Sequence, residues 1–413
     1  MRRFLLVLGL LLVMSISQAQ DGERLQVVAS HSILADVVRN VAGDAADVSS
    51  LMPLNTDPHT FQPTPRDVAV LADADVVFIN GALFEEGLLE VIENAASDLS
   101  LVEASLCVDI LPFGATMHAH EEGEDHAHEE GEEHAHEDEA HTEETSEVSN
   151  ALCAAHYAEM EALHEAGHDH AEGEEHAEGE EHAEGEEHAE GEHSHAEVET
   201  LGALYSLDCS AGHDHEEEEE HAEDEGHEHG EGSCDPHVWT EAHNGMYWTM
   251  LIRDTLIELD PANAETYTTN AAAYLAALDA FAHDVARPLA ESVPEENRIL
   301  VTNHETLGYF AAAYGYELVG TVLPGGGTDI EPGAAEVVAL IELIREEGVP
   351  AIFVENTVNP TVAEQIAAET GVAVINLYSD SLSEADGPAS TYLDYLLYNI
   401  TTIAEALGGG LES

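Results

Sequence analysis

The chain has 413 residues, of which 87 are acidic and nine are basic, and its formal net charge is −78 at pH 7. All nine basic residues are Arg, and this balance excludes nucleic-acid binding, which depends on basic side chains that neutralise phosphates. The same charge argues against docking on an anionic membrane surface.

The N-terminus predicts export. The letters MRR precede an apolar run over residues 4–13, and the letters SQA then supply a cleavage site. This is the pattern of a secretory signal peptide, here residues 1–19, and the run is too short to span a bilayer. No Cys occurs before Cys107, so we expect a mature protein exported to a periplasm without a lipid anchor.

The first half of the mature chain alternates short apolar strands with amphipathic helices. The predicted strands are residues 25–29, 47–52, 75–80 and 101–103. The predicted helices are residues 33–41, 66–72 and 85–95. This order indicates an α/β lobe with a parallel sheet, over residues 20–117, that is completed by residues 235–261.

A His/Glu-rich stretch over residues 118–234, called here the His-rich segment, interrupts this lobe. It holds 21 of the 27 His and 43 acidic residues, which predicts disorder. From His170 to His188 a six-residue H-A-E-G-E-E repeat brings one His per unit. Imidazoles beside carboxylates form weak, exchangeable zinc sites, so we expect a metal-collecting loop. A solvated spacer without a function is the alternative.

Four cysteines fit an oxidising compartment. Cys107 precedes the His-rich segment and Cys234 is its last residue, whereas Cys153 and Cys209 lie in its interior. We favour the pairs Cys107–Cys234 and Cys153–Cys209, because the first would close the base of the segment. The sequence alone leaves all three possible pairings open.

An Ala-rich stretch predicts a connecting helix over residues 262–293, with apolar positions at helical spacing. Asp260 and Pro261 suit its N-cap and first position. Pro288 is expected to kink or end it.

The last part, residues 294–413, predicts a second α/β lobe. Its predicted strands are residues 298–302, 317–322, 351–355 and 373–378. Its predicted helices are residues 306–314, 333–347, 361–370 and 390–407.

Three of the six His outside the His-rich segment lie where a ligand site is expected. His59 and His237 each end an Asp-Pro-His motif, and His304 follows a predicted strand. Asp380 follows the last predicted strand, and ligands of open α/β sheets bind outside the carboxyl ends of strands. Three imidazoles and one carboxylate suit zinc, whereas manganese prefers more oxygen ligands. Taken alone, His31 and His283 are typical surface or helix-face histidines.

Several motifs together carry a family resemblance: TDPHTFQPTPRD, DPHVW, VTNHETLGYFAAAYGY, AIFVEN and INLYSDSL. They resemble the zinc-binding proteins of bacterial metal ABC transporters, the ZnuA/TroA-like family. The resemblance implies two α/β lobes, each with a mainly parallel sheet, joined by one long helix, with the metal in the interlobe cleft. It also implies a monomer that captures Zn²⁺ and delivers it to the membrane permease of an ABC importer, without enzymatic activity.

By position, the resemblance implies metal ligands at His59, His237, His304 and Asp380. A His rather than a Glu at position 304 resembles the zinc-binding members rather than the manganese-binding ones. The chain departs from the family at Glu241-Ala242, where the pattern commonly has Asp-Pro. The long His-rich segment is a second departure, because one of its His could replace Asp380 as the fourth ligand.

Three alternatives stay open. His164, Glu165 and His168 match the H-E-x-x-H motif of zinc-dependent hydrolases, with Glu165 as the base. In a segment so rich in His and Glu, such a match arises by chance. The second alternative is a metal buffer that acts through the His-rich segment, and the third is a manganese-binding transporter component.

Overall fold

The computed structural model describes residues 24–85, 88, 91–92, 100–114, 142–168, 234–325, 327–328 and 330–410. Within residues 142–168, side chains are described for residues 151–164. The predicted signal peptide and the His repeat lie outside the described residues, as does most of the helix predicted over residues 85–95.

The first lobe is built on a four-stranded parallel sheet with the order β2-β1-β3-β4. Its strands are β1 (Leu25–Ala29), β2 (Ala46–Ser50), β3 (Val76–Ile79) and β4 (Ser100–Glu103). Its first helices are α1 (Ser32–Ala42) and α2 (Pro65–Ala72). Strand β3 is buried along its whole length, as its continuous apolar sequence predicts.

Helix α3 (Thr142–His168) lies inside the His-rich segment, so the prediction of disorder is wrong for this stretch. Its side chains at Cys153, His156 and Met160 are buried. These positions share one helix face, and burial of that face against the first lobe stabilises the helix despite the polar composition around it.

A disulfide bond joins Cys153 on this helix to Cys107. Both favoured pairings were therefore wrong, because docking of α3 brings Cys153 to the turn after β4. Cys234 is also disulfide-bonded.

Helix α4 (Ala242–Leu259) packs against the long connecting helix, which runs from residue 264 to residue 292. The connecting helix consists of α5 (Ala264–Phe281), a π-helical turn (Ala282–Ala286) and α6 (Arg287–Ser292). Pro288 does not end it. The irregularity expected at the proline takes the form of the π-helical turn directly before α6.

The second lobe repeats the architecture with the strand order β6-β5-β7-β8, again parallel. Its strands are β5 (Ile299–Thr302), β6 (Glu317–Thr321), β7 (Ala351–Glu355) and β8 (Ala373–Leu377). Its helices are α7 (Gly308–Tyr314), α8 (Ala334–Glu347), α9 (Thr361–Thr370) and α10 (Tyr392–Ala406). Two predicted lobes and a long helix between them are thus confirmed. Across the described ranges, none of the helices has the length and apolar character of a membrane span.

Candidate metal centre

Three imidazoles from distant parts of the sequence meet between the two lobes. His59, His237 and His304 each offer a ring nitrogen, and these three nitrogens lie within 4.8 Å of one another. The ring centroid of His304 lies 5.5 Å from that of His59 and 5.3 Å from that of His237. His237 and His304 are fully buried. The cluster therefore has the spacing of a metal site shielded from solvent.

The two Asp-Pro-His motifs fold in the same way. The backbone N–H of His59 donates to Oδ1 of Asp57 over 3.0 Å, and that of His237 donates to Oδ1 of Asp235 over 3.0 Å. Each Asp side chain thus forms a local turn with the backbone N–H of the His two residues later. This turn directs the imidazole of that His into the cleft. The repeated sequence motif therefore corresponds to the same local structure at both positions.

Asp380 lies directly beside this cluster, three residues beyond β8. Its Oδ1 is 3.9 Å from Nε2 of His237, and its Oδ2 accepts a hydrogen bond of 3.0 Å from Thr357. All four residues predicted from the sequence are therefore brought together, and one carboxylate oxygen faces the imidazoles.

Two further carboxylates lie behind the imidazoles. Nδ1 of His237 is 2.7 Å from Oδ1 of Asp235, and Nδ1 of His304 is 3.4 Å from Oε2 of Glu355. Within the described part of the chain, Nε2 of both imidazoles and Oδ1 of Asp380 are buried and have no hydrogen-bond partner. Buried polar atoms are normally paired, so this set of unpaired lone pairs fits a cation.

The electrostatics of the site favour a cation as well. Burial alone lowers the pKa of His304, but the carboxylates of Glu355 and Asp380 outweigh it and raise that pKa to about 9. Burial raises the pKa of Asp380, yet the neighbouring imidazoles, His304 foremost, hold it below its ordinary value. Without a metal, His304 is thus positively and Asp380 negatively charged. A bound cation would displace the proton of His304 and take over its pairing with Asp380.

Aromatic rings wall the first-lobe side of the site. Trp239 donates from its indole N–H to the carbonyl of Ser379 over 2.9 Å and so joins the two lobes. His31 is buried against Trp239 and Phe84, with ring centroids 5.0 Å and 5.2 Å away. Burial lowers the pKa of His31 to about 3, so it stays neutral. Its interpretation as a surface histidine was wrong.

The contacts of Asp235, Glu355 and Glu241 were not predicted from the sequence. Asp235 and Glu355 lie within the DPHVW and AIFVEN motifs, which were the available signal. Glu241 is the N-cap of α4, where its side chain accepts a hydrogen bond of 3.2 Å from the backbone of Asn244. Glu241, which stands where the family pattern commonly has Asp, therefore still supplies a carboxylate cap to the helix.

A second group of imidazoles lies outside the cleft. His164, His243 and His283 also bring one ring nitrogen each within 4.8 Å of the others. His283 was expected to be an ordinary helix-face histidine. The side chains of Glu165 and His168, which would complete the hydrolase motif, lie outside the described residues.

The fold and the cleft define a two-lobed metal-binding protein. Residues 27–406 match the profile of the family ZnuA, described as zinc-uptake complex component A, periplasmic, and the chain belongs to this family. The resemblance inferred from the motifs is confirmed. Membership makes the chain a metal-binding component of an uptake complex.

Curated relatives match over most of the chain. The manganese-binding lipoprotein MntA of Halalkalibacterium halodurans is 26% identical, over 94% of this chain and 90% of the relative. The manganese ABC transporter substrate-binding lipoprotein PsaA of Streptococcus anginosus is 24% identical, over 94% and 91%.

Solved structures share the fold. The periplasmic zinc binding protein TroA from Treponema pallidum superposes with a TM-score of 0.60 at 22% identity, covering 93% of this chain and 99% of TroA. The Mn-bound periplasmic metal binding protein from Candidatus Liberibacter asiaticus has a TM-score of 0.58 at 21% identity, covering 92% and 98%. These likenesses confirm the predicted α/β fold class.

Proposed function

We propose that the protein captures Zn²⁺ outside the cytoplasmic membrane and delivers it to the membrane permease of an ABC importer. The ligands are His59, His237, His304 and Asp380. The observation that carries this proposal is their convergence between the lobes, with buried Nε2 atoms and a carboxylate oxygen facing one another.

The donor set favours zinc. Three imidazole nitrogens and one carboxylate oxygen suit four-coordinate Zn²⁺, whereas Mn²⁺ prefers sites richer in oxygen. The carboxylate of Asp57 is already engaged by its local turn and by a hydrogen bond of 2.7 Å from Thr328. Glu355 lies on the Nδ1 side of His304 and supports the imidazole from behind.

Manganese is the second candidate, because the relatives named above are manganese-binding proteins. Two carboxylates, Asp380 and Glu355, flank His304 and would offer oxygen ligands after a rearrangement. A direct competition between the two metals therefore decides the substrate.

Release of the metal requires the lobes to separate. Several hydrogen bonds join them beside the site, including Trp239 to Ser379 at 2.9 Å, Thr328 to Asp57 at 2.7 Å and Asn55 to Ser381 at 2.8 Å. Because such bonds contribute only about 1 kcal/mol each, contact with a permease could break them. We propose that binding of the permease opens the cleft in this way.

The site is a carrier rather than a catalyst in this proposal. Four protein ligands leave no open position on zinc for an activated water, which a zinc hydrolase requires. The alternative hydrolase at His164 is disfavoured because His164 faces two other imidazoles on α4 and the π-helical turn. The His-rich segment supplies weak sites that collect zinc near the lobe; a pure buffer would lack the tight cleft site.

The expected absence of a lipid anchor conflicts with the names of the relatives, which are lipoproteins. The predicted signal peptide has no Cys, since Cys107 is the first one in the chain. Export in a lipid-free form thus stays a prediction. Intact mass of the mature protein tests it, because cleavage after Ala19 without acylation gives a single expected mass.

The proposal is tested by competition of the intact protein with a zinc chelator, in the presence and absence of excess Mn²⁺. His304→Ala should weaken the tight zinc site by more than about 100-fold, since it removes a direct ligand. His193→Ala, in the His-rich segment, is the matched control and should leave that site unchanged. Tight binding that survives His304→Ala, or that Mn²⁺ displaces, contradicts the proposal.

A further inference from the structure

The second group of imidazoles, His164, His243 and His283, lies where three helical elements meet. His164 is on α3, His243 on the first turn of α4 and His283 in the π-helical turn of the connecting helix. Their ring centroids are separated by 5.2 to 5.6 Å, close to the spacing in the cleft. The three side chains are partly exposed, so the group is accessible from solvent.

Carboxylates support this second group as they support the cleft. Nδ1 of His243 is 2.6 Å from Oε1 of Glu241, the N-cap of α4. A carboxylate accepts from Nδ1–H, which leaves Nε2 of His243 with a lone pair for a metal. The unusual Glu at position 241 therefore both caps the helix and orients the imidazole two residues later.

The carboxylate of Asp279 lies beside two of these imidazoles. Its Oδ1 is buried, 3.3 Å from Nδ1 of His283 and 3.8 Å from Nε2 of His164. Nδ1 of His283 also lies 3.0 Å from the backbone carbonyl of Asp279, one turn earlier. Three imidazoles and one carboxylate are again the donor set of a four-coordinate zinc site.

Contacts that need no metal hold His164 at this place. Helix α3 is joined to the first lobe by the Cys107–Cys153 disulfide, and Nε2 of His156 lies 2.9 Å from Oδ2 of Asp254. Glu159 accepts two hydrogen bonds, of 2.6 and 3.0 Å, from Arg253. His164 continues the buried face of the same helix, so the group is preorganised and its assembly requires little ordering.

We propose that His164, His243, His283 and Asp279 form a second binding site for a divalent transition-metal ion such as Zn²⁺, outside the cleft. The site shares no residue with the cleft, so it does not depend on the function proposed above. A metal here ties the end of α3 to α4 and the connecting helix. In the sequence, His170, the first His of the six-residue repeat, follows two residues after the end of α3.

The proposal is tested on the intact protein by equilibrium dialysis with Zn²⁺ against a competing chelator that empties the weak sites of the repeat. The wild-type chain is expected to keep two zinc ions, His237→Ala one, and His243→Gln/His283→Gln one. His156→Gln loosens α3 but removes no ligand, so as the matched control it should keep two. A double variant that keeps as many zinc ions as the wild-type chain overturns the proposal.

Hydrogen exchange gives a second readout. Zinc should slow amide exchange over residues 151–164 of the wild-type chain. His164→Gln changes only α3 and leaves α4 and the connecting helix intact, so it tests the site even if the double variant unfolds. It should abolish the zinc-dependent protection and lower the retained zinc by one ion while the His237-dependent ion remains. Undiminished protection or retention in His164→Gln refutes the second site, whereas unchanged zinc retention in His237→Ala refutes the cleft site.

Discussion

Oδ1 of Asp235 lies 2.7 Å from Nδ1 of His237, and both side chains are buried. Since an ionised carboxylate can only accept, this contact places the imidazole proton on Nδ1 and leaves the lone pair on Nε2, which faces Asp380. The choice of tautomer, and with it the capacity of His237 to bind a cation, is thus decided by a residue that does not face the cation.

Asp235→Asn should therefore weaken zinc binding in the cleft by about 10–100-fold, the usual loss when a partner behind a metal-binding imidazole is removed. The physical reason is that an amide orients the ring less firmly and makes it less basic. Chelator competition on the intact protein measures the change. Asp386→Asn, on an exposed loop, removes the same charge as a control; equal losses in both variants would show that the effect is only one of net charge.

Gly308, at the start of α7, should be intolerant of a side chain for the same reason. A Cβ at this position would lie 2.5 Å from Oδ2 of Asp235, so Gly308→Ala must displace that carboxylate. We expect zinc affinity to fall by about tenfold, the lower end of the range for such partners. Gly333→Ala is the control, since its Cβ meets only the end of Glu336, at 3.4 Å. Unchanged affinity in Gly308→Ala would argue against the role of Asp235.

Zinc binding should release a proton from His304. Its pKa of about 9 means that the metal-free site is protonated at pH 8, whereas zinc requires the neutral ring. The apparent affinity should thus rise up to about tenfold per pH unit below that pKa and level off above it. An imidazole with the unperturbed pKa of about 6.5 is already neutral at pH 8 and releases little.

Calorimetry in two buffers of different ionisation enthalpy counts the protons released. We expect close to one proton for the zinc ion bound in the cleft at pH 8. Glu355→Gln removes the largest contribution that raises the pKa of His304, so burial should then dominate and the release should nearly vanish. Zinc binding at pH 8 without proton release would contradict the protonated state of His304.

The Cys107–Cys153 disulfide should stabilise the first lobe without affecting the cleft. It closes a loop with a sequence separation of 46 residues, and Cys107→Ala/Cys153→Ala should lower the free energy of unfolding by about 2–4 kcal/mol. Urea unfolding of the metal-free protein measures this. Cleft affinity for zinc should stay at the wild-type value, because neither cysteine contacts the four ligands; a parallel loss of affinity would show that α3 supports the cleft.

Local patterns were sufficient to predict much of the fold and all four cleft residues. Strands β1 and β7 and helix α9 begin and end where the sequence predicted, because each is a short apolar or amphipathic run with clear turn residues beside it. His59 and His237 could be found because the same Asp-Pro-His turn occurs twice. Asp380 could be placed because strands in a parallel sheet end at a common edge.

Features that depend on packing between distant elements could not be predicted. Helix α4 is buried on several faces, with Trp248, Met250 and Leu251 all inside, so it lacks the periodic polar face that identifies a helix. The partner of Cys107 depends on where α3 docks. His243 and His283 meet only because α4 packs along the connecting helix, and a His in a low-complexity stretch, such as His164, carries no local signal of a site.

We propose above all that the cleft holds zinc between His59, His237, His304 and Asp380. The most direct test is a crystal structure of the intact protein grown with equal concentrations of Zn²⁺ and Mn²⁺, with anomalous data on both sides of the zinc edge. We predict a peak that appears only above the zinc edge, within about 2.0–2.2 Å of all four ligand atoms. A peak already present below that edge, as manganese would give, or a cleft without anomalous density would contradict the account.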